Sequence, residues 1–159
     1  MIDFQKESPK FLYDFLIYHQ TIQGHSKQTV EEYFLDLRSY LRFLKIHRGL
    51  LSKRIAFDEI PIKDITIELV ADIELPDIYA YMGYLSNQRQ VHPGSSTGYI
   101  GVSATARARK VAAIRSFYKY LCTKAKLIDT NPVQNLDSPQ IKKTLPKYLN
   151  IEESISLLD

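Results

Sequence analysis

The chain has no tryptophan, one cysteine and only six glycines among its 159 residues. A single thiol, Cys122, excludes an internal disulfide framework, and a lone cysteine inside a helical pattern reads as a small core residue rather than a nucleophile. No apolar run approaches the length of a membrane span, and the opening residues, MIDFQKESPKF, have no apolar signal core. A cytoplasmic protein without a membrane partner is expected. Glycine-rich phosphate loops of the Walker or dinucleotide type are missing, since GSSTGYIG has no Lys-Ser/Thr ending. The histidines, His19, His25, His47 and His92, show no metal-ligand spacing with one another, with Cys122 or with carboxylates. No metal or cofactor is expected, and these absences together point to a binding module.

The most telling absence is local. Between Ser103 and Lys126 there is no acidic residue, while seven basic ones are present: Arg107, Arg109, Lys110, Arg115, Lys119, Lys124 and Lys126. The whole chain carries a net charge of only +3, so the remaining residues are acidic on balance. Positive charge is therefore concentrated in one segment, which suggests a polyanionic partner, with duplex DNA the first candidate.

What is there reads as helices. The length suffices for one core without disulfides or metal. A first helix is expected over Pro9–Gln23, with Ser8 as N-cap, Pro9 in the first turn, an apolar stripe of Phe11, Leu12, Phe15, Leu16 and His19, and Gly24 as terminator. A second helix starts at Ser26 or Thr29 and carries Val30, Tyr33, Phe34, Leu37, Tyr40, Leu41 and Leu44 on one side, with Lys27, Arg38, Arg42 and Lys45 on the other; Gly49 ends it. Residues 50–75 read as a loop followed by a short helix near Ile67–Ala71. A third helix is expected over Asp77–Gln90, with Ile78, Tyr81, Met82 and Leu85 inward, and Val91–Gly101 is a loop. The acid-free segment is one helix capped by Ser103. Its apolar face is Val111, Ile114, Phe117, Tyr118 and Leu121, while Arg109, Ser116 and Lys119 point away. Prolines at 132, 139 and 146 break any helix after it, so 129–147 reads as a linker. Asn150-Ile151-Glu152-Glu153 then signals the start of another helix.

From the basic helix onward the sequence resembles the core-binding region of tyrosine recombinases, the phage-integrase and Xer-type family. The pattern is a basic pair, small or apolar residues, Ile114-Arg115-x-Phe117-Tyr118-x-Tyr120-Leu121, then Asn131-Pro132, Leu136, Ser138-Pro139 and Leu145-Pro146-Lys147. Ser26-Lys27-Gln28-Thr29, Tyr33, Asp36-Leu37 and Phe43-Leu44 fit the same family. The resemblance covers about 8–48 and 76–159; segments 50–75 and 91–101 are longer than the usual connections.

The resemblance implies an all-α, four- to five-helix bundle of the SAM-like class. It implies a core-binding domain at 1–128, a linker at 129–147 and the start of a catalytic domain at 148–159. Family members clamp duplex DNA and assemble as tetramers on two duplexes. Their catalytic set, an Arg, a Lys, His-x-x-Arg and a nucleophilic Tyr, has no match here: the residues three beyond the histidines are Ile22, Gln28, Leu50 and Ser95. Tyr118 and Tyr120 fall at packing positions. The parent protein is expected to be a site-specific recombinase, with no catalytic residue in this segment. Lys27, Thr29, Arg107, Arg109, Lys110 and Arg115 are the expected DNA contacts, with Arg38, Arg42 and Lys45 behind them and Gln28 or Arg109 as candidates for base readout. The alternative is a helical protein–protein adaptor or oligomerisation module with a basic face.

Overall fold

A computed structural model describes residues 2–87 and 102–140. Among these the chain is all-helical: α1 (Phe4–Glu7), α2 (Lys10–Thr21), α3 (Lys27–His47), α4 (Ile67–Ala71), α5 (Leu75–Asn87) and α6 (Ala104–Thr123), with a 3-10 turn at Phe57–Glu59. The expected loop at 91–101, the end of the third helix beyond residue 87 and the helix start at 150 lie outside the described residues.

Capping chemistry sets the boundaries. The backbone amide of Thr29 donates to Ser26 Oγ at 3.1 Å and that of Ala106 to Ser103 Oγ at 3.2 Å, so a serine hydroxyl satisfies an otherwise free amide at the start of α3 and of α6. Of the two expected starts for α3, Ser26 is the cap. Gly24 (φ +70) and Gly49 (φ +65) adopt the left-handed conformation that closes α2 and α3; after α3, the Leu50 amide reaches back to the Lys45 carbonyl at 2.9 Å.

The start of α2 differs from expectation by one residue. Pro9, not Ser8, is the cap, and its carbonyl accepts from the amides of Leu12 and Tyr13, both at 3.0 Å. Ser8 is used instead to close α1, its amide donating to the Phe4 carbonyl at 2.9 Å. Helix α1, capped by Asp3, is too short to show a periodic pattern in sequence.

The core is built where α2, α3 and α6 meet. Phe11, Leu12, Phe15 and Leu16 of α2, Val30, Phe34, Leu37, Tyr40, Leu41 and Leu44 of α3, and Val111, Ile114, Phe117, Tyr118 and Leu121 of α6 are buried in one cluster. The expected apolar faces of these helices are thus the ones that pack. On α5, Ile78, Tyr81 and Leu85 are buried and Met82 is half-buried against the same cluster.

Two cations expected on the outer side of α3 are inside. Arg42 and Lys45 are both buried. Arg42 Nε donates to the Ile60 carbonyl at 2.8 Å, and Lys45 Nζ donates to the Pro61 carbonyl at 2.6 Å and to Asp64. The physical reason is the segment 50–75. It buries Ile60, Ile62, Ile65, Val70 and Ile73 against the bundle, and its irregular backbone needs donors where no helix or strand supplies them. The bond from Lys45 holds the Asp64 carboxyl below its ordinary pKa.

Helix α6 ends at Thr123 rather than continuing to Lys126. Lys126 sits at φ 53, and the Leu127 amide turns back to the Leu121 carbonyl at 2.9 Å. Ile128, Val133 and Leu136 are then buried, so the first part of the expected linker folds over the core.

A chain of buried hydroxyls ties α3, α4 and α6 together. Tyr118 Oη donates to the Val70 carbonyl at 2.8 Å, which leaves Tyr40 Oη as donor to Tyr118 Oη, also at 2.8 Å. Burial raises the pKa of both phenols. Tyr118→Phe removes the donor to Val70 and the acceptor for Tyr40. Unmet buried polar groups cost about 1–3 kcal/mol each. We expect the urea midpoint to fall by an equivalent amount at constant m-value; an unchanged midpoint would contradict the network's role.

Candidate nucleic-acid interface

The six residues singled out from the sequence do not form one stripe. Arg109 and Lys110 come together on α6 because both reach Asp36 of α3. Arg109 donates to Asp36 twice, Nε to Oδ2 and Nη2 to Oδ1, each at 3.2 Å, and Lys110 Nζ lies 2.8 Å from Oδ1. The side chains of Asp36 and Lys110 are only 5% and 13% exposed, whereas that of Arg109 is 57% exposed. Lys110 therefore points into the α3–α6 seam and Arg109 out of it. The basic helix lacks acidic residues of its own, but α3 supplies one.

Arg107 is half-buried and its guanidinium donates to the Val102 carbonyl just ahead of α6. Arg115 is exposed and stands one turn from exposed Lys119. Both line an open groove between α6 and the turn at 129–134, together with Ser116, Thr123, Asn131 and Gln134. At about 100° per residue, Arg115 and Arg109 lie roughly 120° apart around the helix.

On α3, Thr29 and Lys27 precede Asp36 by seven and nine residues. At about 1.5 Å and 100° per residue, Thr29 shares the side of Asp36 about 10 Å away, whereas Lys27 falls on the opposite side. Lys27 is exposed beside a hollow lined by Tyr13, Ile17 and Gln20 of α2. The Thr29 hydroxyl accepts from Ser26 Oγ at 2.9 Å. Of the second-rank cations, Arg42 and Lys45 are internal, and Arg38 donates to Glu7 at 3.2 Å while lying 5.1 Å over the Phe34 ring.

The residue that sequence reasoning passed over is Asp36. It is separated from its partners by 73 and 74 positions, a distance no local pattern spans. Its one sequence signal was membership of the Asp36-Leu37 pair in the family pattern.

Other chemistry is sparse. Among the described residues, no group of three or more His, Cys, Asp or Glu side chains could hold a metal ion, and no helix is long and apolar enough to cross a membrane. Tyr118 is fully buried and Tyr120 half-buried, each packed among aromatic rings, as expected of core residues.

The described residues form an all-α bundle whose last long helix packs one face into the core and leaves Arg109, Arg115 and Lys119 exposed, which agrees with a helical domain of the integrase amino-terminal type. No family model and no solved structure matches the chain. Curated proteins do. A tyrosine recombinase XerC of Caldanaerobacter subterraneus is 44% identical over 151 residues, covering 95% of this chain and 40% of that protein. A tyrosine recombinase XerD of Halalkalibacterium halodurans is 30% identical across 93% of this chain and 40% of its own length. A tyrosine recombinase XerC of Myxococcus xanthus is 38% identical over 95 residues, 54% of this chain and 31% of its own length. The chain belongs to the tyrosine recombinase family and has its amino-terminal core-binding domain. It spans about two fifths of the length of the first two of these relatives. A match across 95% of the chain necessarily runs through segments 50–75 and 91–101 as well.

His19 sits behind the groove-side face of α6. It is buried, its Nδ1 has no hydrogen-bond partner, and Nε2 is 3.4 Å from Ser116 Oγ. The rings of Phe15, Tyr33 and His25 lie at 4.4, 5.0 and 5.2 Å. Burial, and then the neighbouring His25, lower its pKa from the ordinary 6.5. The unfolded chain then binds the proton more readily than the folded one, so stability is full above about pH 6.5 and falls as pH drops through that value towards the folded pKa. Melting temperature should fall on going from about pH 7.5 to 5.5, and His19→Gln should fall less. An equal drop in both proteins would assign the pH dependence elsewhere.

Proposed function

We propose that this chain is the DNA-clamping part of a site-specific tyrosine recombinase. In this reading residues 1–128 form the core-binding domain, 129–147 lead from it to a catalytic domain with Val133 and Leu136 still packed on the bundle, and 148–159 begin that domain. Strand cleavage and rejoining belong to catalytic residues that are not among these 159. In the working enzyme four protomers would hold two duplexes.

The observation that carries the reading is the two-sidedness of α6 in a chain of this family. Val111, Ile114, Phe117, Tyr118 and Leu121 fix the helix in the bundle. Arg109, Arg115 and Lys119 remain exposed along its length. Exposed guanidinium and ammonium groups on a fixed helix suit phosphate oxygens, which set a protein's register on the duplex without reading its sequence. Arg109 and Arg115 are the principal contacts. Thr29 at the start of α3, on the side of Asp36, would add a contact to the duplex backbone, whereas Lys27 faces away from that side. Lys110 and Arg107 support the surface from inside, since their charged ends already meet Asp36 and the Val102 carbonyl.

Affinity for a short duplex, measured over a salt series, tests this. Loss of one phosphate contact reduces the slope of log affinity against log salt by about 0.9. Arg109→Ala and Arg115→Ala should each weaken binding and each lower the slope by that amount. Unchanged affinity and slope in both would overturn the placement. No duplex binding at all, together with a stable dimer, would favour the adaptor alternative.

A further inference from the structure

We infer that Asp36 is a positioning residue of the DNA-facing surface, acting through Arg109. The inference rests on the reading of Arg109 as a DNA contact and goes beyond it by assigning a role to an acidic residue that never touches the nucleic acid.

A carboxylate buried in the middle of a helix has to be paired, because an isolated charge out of water is strongly disfavoured. Lys110, at 2.8 Å and itself largely buried, already balances the Asp36 charge. Arg109 is not needed for neutrality, yet it makes two further bonds to the same carboxylate. Those bonds act on the arginine. An exposed arginine side chain on a helix samples many rotamers, and immobilising such a chain on binding costs about 0.5–1.5 kcal/mol. Here the Nε–Nη2 edge of the guanidinium is held on both carboxylate oxygens. The plane of the fork is set, and the remaining hydrogens, two on Nη1 and one on Nη2, lie on the edges away from Asp36. Over half of the side chain stays exposed. A planar fork fixed in this way presents paired donors to two acceptor oxygens, the arrangement that suits a phosphate. Because Lys110 cancels the charge of Asp36, the trio keeps a net positive charge at its exposed end.

Simple electrostatics predicts the opposite role. A negative charge close to DNA repels phosphates, so removing it should strengthen binding. The two accounts differ in sign.

The test uses Asp36→Asn, Arg109→Ala and the double variant of the 159-residue chain, with duplex affinity measured over a salt series and stability followed by urea unfolding. Asp36→Asn should weaken binding by about two- to tenfold, the equivalent of one immobilised side chain. Its salt slope should be unchanged, because the number of phosphates contacted is unchanged. Arg109→Ala should lower the slope, and the double variant should match Arg109→Ala alone. In the free protein, the Arg109 Nε–H signal should be protected from exchange and should lose that protection in Asp36→Asn. If Asp36→Asn is too unstable, Asp36→Asn combined with Lys110→Met removes the buried charges together and should show the same loss of affinity. Tighter or unchanged binding in a folded Asp36→Asn variant overturns the positioning role, as does a double variant weaker than Arg109→Ala. If Arg109→Ala itself leaves affinity and slope unaltered, the reading of Arg109 as a DNA contact falls and the inference with it.

Discussion

The packing of α3 against α6 is the contact on which the rest of this domain depends. It buries Leu37, Tyr40 and Leu41 from one helix and Ile114, Phe117 and Tyr118 from the other. It also carries two polar links: the Tyr40–Tyr118–Val70 hydroxyl chain in the interior and the Asp36–Arg109–Lys110 cluster at the rim. Both links fix the rotation of α6 about its own axis, one from the interior and one at the rim. That rotation decides which cations point outwards. A helix with seven basic residues in or just beyond it could not be a selective surface if it were free to turn, and its apolar face alone allows some latitude.

The positive charge of the chain is thereby divided between two duties. Arg42, Lys45 and Arg48 serve the interior and the acidic segment beside it: Arg42 and Lys45 hold carbonyls at 60 and 61, and Arg48 meets Asp72 and Asp77 at 3.1 and 3.0 Å. Asp77 in turn accepts from the Glu74 amide at 2.8 Å and so helps start α5. Burial works to raise its pKa, but the Glu74 amide, His47 and Arg48 outweigh that and hold it low. The acidic segment 50–77 thus engages the carboxy-terminal half of α3, while Arg109, Arg115 and Lys119 stay exposed on α6. Any polyanion would be drawn towards α6 and away from this segment.

Much of the fold was legible because it is local. The apolar face of α6, the serine caps at 26 and 103, the glycines at 24 and 49 and the short helix at Ile67–Ala71 all follow from spacing and from the special needs of helix ends. What was not legible depends on partners far away in the chain. Arg42 and Lys45 share the polar side of a helix with Lys27 and look equally solvent-facing until segment 50–75 covers them. The acid-free character of Ser103–Lys126 suggested unpaired cations, yet Asp36 takes two of them. Lys126 reads as another helical cation, but its left-handed backbone turns the chain so that Ile128, Val133 and Leu136 can close over the core. In the candidate interface, the outward directions of Arg109 and Lys119 were readable from the helical period, whereas the pairing with Asp36 was not, because tertiary packing sets it.

Packing against α3 holds α6 with its outer cations towards solvent, where a duplex would meet them. The most direct measurement is a titration of isotope-labelled protein with a short duplex, following every amide and arginine side-chain signal. Shifts should concentrate on α6 around Arg109 and Arg115 and at the start of α3, with the signals of Phe57–Asp77 undisturbed. Shifts centred on Phe57–Asp77, or none on α6 at saturating duplex, would contradict this placement of the duplex.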